Sequence, residues 1–136
     1  MCAPFFSEME QYLVVTAIPL SDPGAIADRI ALAGGFAQHY VGDTAFYDVE
    51  EQWAPDASGG GYHPATSVIR KVTYGDGRFD FSCQAIVSGY VPAQTMTERN
   101  GMLRVQVNKN LEGQDAFLQS LSFAVFDEDM NEAGVL

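Results

Sequence analysis

Over residues 78–88 apolar and polar side chains alternate: Phe79, Phe81, Cys83, Ala85 and Val87 on odd positions, Arg78, Asp80, Ser82 and Gln84 on even ones. A two-residue period belongs to a strand with one wet and one buried face. The run Thr66–Tyr74 before it is rich in β-branched residues, and Asp76 and Gly77 between the two supply the positive φ of a tight turn. Together they predict a hairpin over 66–91, with Phe79 and Phe81 in the core. Residues 102–108 repeat the alternation, hiding Leu103, Val105 and Val107, and Ser122–Phe126 is a closing strand. Two further strands are expected over 36–53, joined at Gly42 and Asp43.

Other stretches carry a different pattern. Residues 12–20 are apolar on both alternating faces, which predicts a central strand covered on both sides. Ser21 or Asp22 as N-cap, Pro23 in the first turn, Ile26, Ile30 and Ala33 at helical spacing, and Gly34 and Gly35 as a stop predict the main helix over 22–34. A short helix is expected at about 113–120, carrying Phe117 inward. Residues 54–64, which include Gly59, Gly60 and Gly61, read as a long loop, and residues 1–10 and 127–136 as flexible ends. Strand, helix, several strands, short helix, strand amounts to a single α+β domain over 1–136, with a predominantly antiparallel sheet of about six strands.

Composition narrows the partners. Eighteen acidic residues against seven basic ones leave a formal charge of −11, which repels nucleic-acid phosphates and anionic lipid. Neither nucleic acid nor membrane is expected as a partner. Two cysteines, Cys2 and Cys83, make too thin a framework for a secreted disulfide scaffold, and the N-terminal run lacks the basic region of a signal peptide. The expected location is the cytoplasm, or the inside of a virus-infected host cell.

Candidate chemistry is sparse. The start Met1-Cys2 resembles that of the amidotransferase and bile-salt-hydrolase branches of the N-terminal nucleophile hydrolases, which would imply a Cys2 thiol activated by its own amine. The resemblance covers two residues, and Ala3 stands where the amidotransferases carry glycine. Asp127, Asp129 and Asn131 imitate the first half of an EF-hand loop, but Glu132 occupies the glycine position. Cys2, His39, His63 and Cys83 have no close zinc spacing, and no phosphate-binding glycine loop or GxSxG turn is present. No metal and no cofactor are expected.

The expected function is therefore a non-enzymatic acidic protein-interaction module, of the kind of an inhibitor, an immunity-type protein or a small phage-like assembly subunit. It would bind a protein, one with a basic surface or its own copies, through a sheet edge and the 54–64 loop. The strands over 37–50 and 121–126 are the candidate edges, and Tyr40, Phe46, Tyr47, Asp48, Glu50, Glu51, Trp53, Tyr62 and Phe126 the candidate contact residues. The alternative is a small α+β pocket protein or enzyme that binds an apolar small molecule, with His63, Asp56 and His39 in acid–base roles.

Overall fold

The computed structural model describes residues 12–33, 38–55, 59–110 and 119–135. Among them are ten strands, with one turn of 3-10 helix at Ala93–Thr95 as the sole helical element. In chain order the strands are β1 (Tyr12–Ala17), β2 (Asp28–Ala33), β3 (Gln38–Val41), β4 (Ala45–Pro55), β5 (Tyr62–Gly75), β6 (Arg78–Ser88), β7 (Thr97–Arg99), β8 (Met102–Asn110), β9 (Gln119–Phe126) and β10 (Glu132–Val135). Every neighbouring pair is antiparallel. They form a two-stranded sheet β1-β2, a central sheet β3-β4-β5-β6, and a C-terminal sheet whose strands follow one another as β7-β8-β9-β10.

Burial follows from three stacked layers. One face of the central sheet, with Tyr47, Val49, Ile69, Ala85 and Val87, packs on Leu103, Val105, Val107, Ala124 and Phe126 of the C-terminal sheet. The opposite face, with Phe46, Val72 and Phe79, packs on Leu13, Val15, Ile30 and Leu32 of the two-stranded sheet. Each such aliphatic or aromatic side chain, once fully removed from water, contributes about 1.5–3 kcal/mol before the ordering cost is set against it. Polar clips hold the layers in register. Ser67 Oγ donates to the Gly89 carbonyl (2.8 Å) and accepts from the Val91 amide (3.1 Å), and Lys71 Nζ, almost wholly buried, donates to the Glu128 carbonyl (2.7 Å). Gly89 is required where it stands: its φ is +123°, and a Cβ there would lie 2.7 Å from the Asn108 carbonyl oxygen.

The α+β expectation is overturned. Where a main helix over 22–34 was expected, residues 20–25 turn and Asp28–Ala33 form β2. Ile30 and Leu32 obey a two-residue period as well as Ile26, Ile30 and Ala33 obey a helical one, and in so short a run the pairing of six residues with β1 decides. Of the short helix expected at 113–120, residues 113–118 lie outside the described residues, and Gln119 and Ser120 open β9. β1 is not a doubly covered central strand: Tyr12 and Val14 face solvent, both more than half exposed. The 54–64 loop is narrower than its composition implied, because β4 runs to Pro55 and β5 begins at Tyr62. Residues 127–135, read as a flexible end, form a turn in which Asp127 Oδ1 accepts from the amides of Asp129 (3.0 Å) and Asn131 (2.8 Å), followed by β10.

The hairpin over 66–91 is present as β5-β6, with Asp76 (φ +49°) and Gly77 (φ +73°) at its turn. Its second strand departs from the simple alternation. Lys71 pairs with Cys83 and Val72 with Phe81, so Ser82 is an extra residue that bulges out of the ladder. The bulge reverses the faces: Cys83, Ala85 and Val87 point to the C-terminal sheet, whereas Phe79 and Phe81 share the face of Val72. Phe79 packs there, but Phe81 is 46% exposed and not a core residue.

One side chain ties the two-stranded sheet to the central one. Asp28 Oδ2 accepts from the Phe79 amide (2.7 Å) and Oδ1 from the Arg29 amide (2.8 Å). These two bonds, the Phe79 one foremost, with Arg78 adding a smaller attraction, lower the Asp28 carboxyl below its ordinary value of 3.8. A depressed carboxyl stabilises the fold above its unfolded value and loses that contribution as pH falls through the folded one. Amide protection of β1 and β2 should therefore drop below about pH 4 before that of β5 does. Asp28→Ala should weaken β1-β2 protection already at neutral pH and remove that part of the acid dependence. Equal protection of the two sheets in wild type down to full unfolding would refute the tie.

Candidate interaction arm

β4 and β5 continue beyond their described pairings with β3 and β6. Among the described residues the last β3 pair is Gln38 with Val49 and the last β6 pair is Thr66 with Ser88. Beyond those pairs Trp53, Ala54 and Pro55 pair with Pro64, His63 and Tyr62, so among the described residues β4 and β5 continue as a two-stranded arm. Trp53 stands opposite Pro64 and Pro55 opposite Tyr62. Side chains two apart along a strand share a face, so Trp53, Pro55, Tyr62 and Pro64 lie together on one face, Trp53 and Tyr62 as a diagonal cross-strand pair. Trp53 is 58% and Tyr62 71% exposed. Proline at both strands removes amide donors from the arm's outer edges, which opposes indiscriminate strand addition.

The other candidate contact residues are placed differently. Phe46, Tyr47, Asp48 and Phe126 are buried, because β4 is an interior strand and β9 is flanked by β8 and β10. Tyr47 lies 5.9 Å from the Tyr40 ring, and its phenol is pushed far above the ordinary value, by burial first and the Glu98 carboxylate second. Tyr40 is partly buried, and its hydroxyl accepts from the Glu98 amide (3.0 Å). Glu50 and Glu51 are half-buried and engaged, Glu50 Oε2 with Arg70 Nη2 (2.8 Å) and Glu51 Oε1 with Gln38 Nε2 (2.6 Å). Only Trp53 and Tyr62 of the expected set project freely.

Of the residues proposed for acid–base roles, Asp56 lies outside the described residues. His39 sits on edge strand β3 with Nδ1 3.3 Å from Asp48 Oδ1, and His63 stands on the arm opposite Ala54. From Asp48 to Ala54 is six residues of β4, about 20 Å, so the two histidines do not converge. A charge cluster that the sequence reading missed lies beside His39. Asp48 is fully buried, with Oδ2 2.7 Å from Arg70 Nη2. Neither Asp48 oxygen is aligned for a hydrogen bond, so the group is held by charge more than by directed bonding. The signal was available: an aspartate inside the run Ala45–Val49, in register with an arginine on the next strand.

A cavity of about 410 Å³ opens on the far side of the central sheet, lined chiefly by Val15, Ala17, Val41, Phe46, Tyr74 and Phe79. Neither histidine lines it. Among the described residues no helix is long and apolar enough to cross a membrane.

Two successive four-stranded antiparallel sheets, each a simple meander and packed face on face, are the repeating unit of a radially stacked β architecture. The family model of the beta propeller domain matches residues 2–136, and the chain belongs to that family. The central and C-terminal sheets are thus two of its blades. No curated protein and no solved structure matches the chain.

Proposed function

We propose that this chain is a non-enzymatic protein-interaction module of the beta propeller family whose contact element is the β4–β5 arm. The observation that supports it most is the projecting face of Trp53, Pro55, Tyr62 and Pro64, with both aromatic rings more than half exposed. Exposed large rings on a braced element are what a protein partner uses as anchors, because they bury much area at little entropic cost. The −11 charge favours a partner with a basic surface and speeds encounter with it, so added salt should slow association more than dissociation.

Trp53 is the only tryptophan in the chain, so its emission reports the arm directly. Capture from extract at low salt, followed by titration of each captured protein, should shift the Trp53 emission to the blue. Trp53→Ala or Tyr62→Ala should weaken that association by about thirtyfold or more, the effect of a 2 kcal/mol anchor. Ile86→Ser, which alters an exposed residue of β6 away from the arm, should not. Partners that bind Trp53→Ala and Tyr62→Ala as tightly as wild type would overturn the assignment of the arm.

A further inference from the structure

The cavity between β1 and the central sheet is larger than the voids that close packing leaves. It measures about 410 Å³, room for on the order of a dozen non-hydrogen atoms at roughly 30 Å³ each. Three parts of the chain wall it. Val15 and Ala17 come from β1, Val41 and Phe46 from β3 and β4, and Tyr74 and Phe79 from either side of the turn between β5 and β6. Ala17 follows Leu13 and Val15 on the inward face of β1, and as an alanine it leaves open the space that a larger side chain would fill.

The walls are braced by the fold itself. Tyr74 is held by two bonds to the β3–β4 turn, its hydroxyl donating to the Gly42 carbonyl (2.5 Å) and its amide to the Thr44 carbonyl (3.3 Å). Its ring is thus fixed as a wall, with its polar atom already used. Phe79 is anchored beside it by the bond from its amide to Asp28 (2.7 Å). Among the described residues that line the cavity, the charged ones are Asp76 and Arg78, both exposed at the turn. They oppose each other in sign, and Arg78 is also attracted to Asp28. A charged group pushed past this rim would lose its water without gaining a partner.

We infer that this cavity is a binding site for a compact, uncharged, mainly aromatic small molecule. Concave, preformed, apolar walls around a space of this volume suit such a ligand, and the rings of Phe46, Tyr74 and Phe79 offer it faces and edges. A single polar group on the ligand stays at the rim, beside Asp76 and Arg78. The site is separate from the β4–β5 arm and stands whether or not the arm binds a partner. Its occupant touches β1 on one side and the central sheet on the other, so binding braces the same two sheets that Asp28 ties together.

The test is titration of 2-naphthol, uncharged at neutral pH, into the isotope-labelled full chain, with 2-naphthoate as the same ring system carrying a carboxylate. Saturable one-to-one binding of 2-naphthol is expected, with a dissociation constant at or below about 100 µM. Amide shifts should centre on residues 15–17, Val41 and residues 74–79, and the melting temperature should rise. 2-Naphthoate should bind about tenfold more weakly or worse. Ala17→Phe fills the cavity and should abolish binding. Val41→Glu puts a charge at its edge and should weaken binding by about tenfold or more. That position is already 67% exposed, so this variant keeps the test decisive even if Ala17→Phe does not fold. Ile86→Ser, on β6 away from the cavity, should bind as wild type does. The proposal fails if 2-naphthol does not saturate the chain by about 1 mM, or if its shifts fall on the arm or the C-terminal sheet. It fails equally if 2-naphthoate binds as tightly, or if either folded cavity variant keeps wild-type affinity.

Discussion

Truncation of Ile69 to alanine should lower the stability of the chain by about 2–5 kcal/mol, and Phe81→Ala by about 1 kcal/mol or less. Ile69 has no exposed surface, and it pairs with Val49 on one side and Ala85 on the other, in the middle of the face that meets the C-terminal sheet. The loss there combines the transfer free energy of the missing carbons with the cavity they leave, because strands bonded on both sides cannot close over it. Phe81 is larger, but nearly half of it already meets water. Urea unfolding of the two variants would decide the register of β6. If Phe81→Ala proved the costlier, the bulge at Ser82 would be misplaced and Phe81 would share the face of Ala85.

That comparison marks where a sequence stops being legible. The strands β3, β4, β5, β6 and β8 could be read from alternation and turn residues because each is written by its own neighbours in the chain. The face of Phe81 could not, since a bulge is set by how β6 must follow the twist of β5. The segment 22–34 failed for a related reason. Its caps and spacing satisfy a helix, yet Asp28 accepts from the Phe79 amide across the sheets, a partner fifty-one residues away. Local signals cannot weigh such a bond.

The site divides in the same manner. Trp53 and Tyr62 were recognisable as large rings flanking a loop rich in glycine and proline. Their exposure depends on β6 ending at Ser88 while β5 continues, which is a property of the whole sheet. Phe46 and Tyr47 look equally aromatic in sequence, and they are closed off because each face of β4 has a sheet packed on it.

Among the described residues Arg70→Met should be a strongly damaging charge substitution, at about 3 kcal/mol, and most of that loss should return when Asp48→Leu is added to it. Asp48 has no exposed surface, and its nearest cation is Arg70, 2.7 Å away; His39, 3.3 Å from the other oxygen, has a side chain more than a third exposed and counts only when protonated. Removal of the guanidinium leaves a buried carboxylate facing Glu50 with its compensation gone, whereas removal of both charges leaves apolar side chains on a face that Phe46 and Val72 already make apolar. The estimate is held at the lower end of the range for buried pairs because the Arg70 side chain keeps 13% of its surface in water. A double-mutant cycle by chemical unfolding measures the difference. Coupling of 1.5 kcal/mol or more between positions 48 and 70 is expected, and additive losses would show that Asp48 is compensated by something other than Arg70.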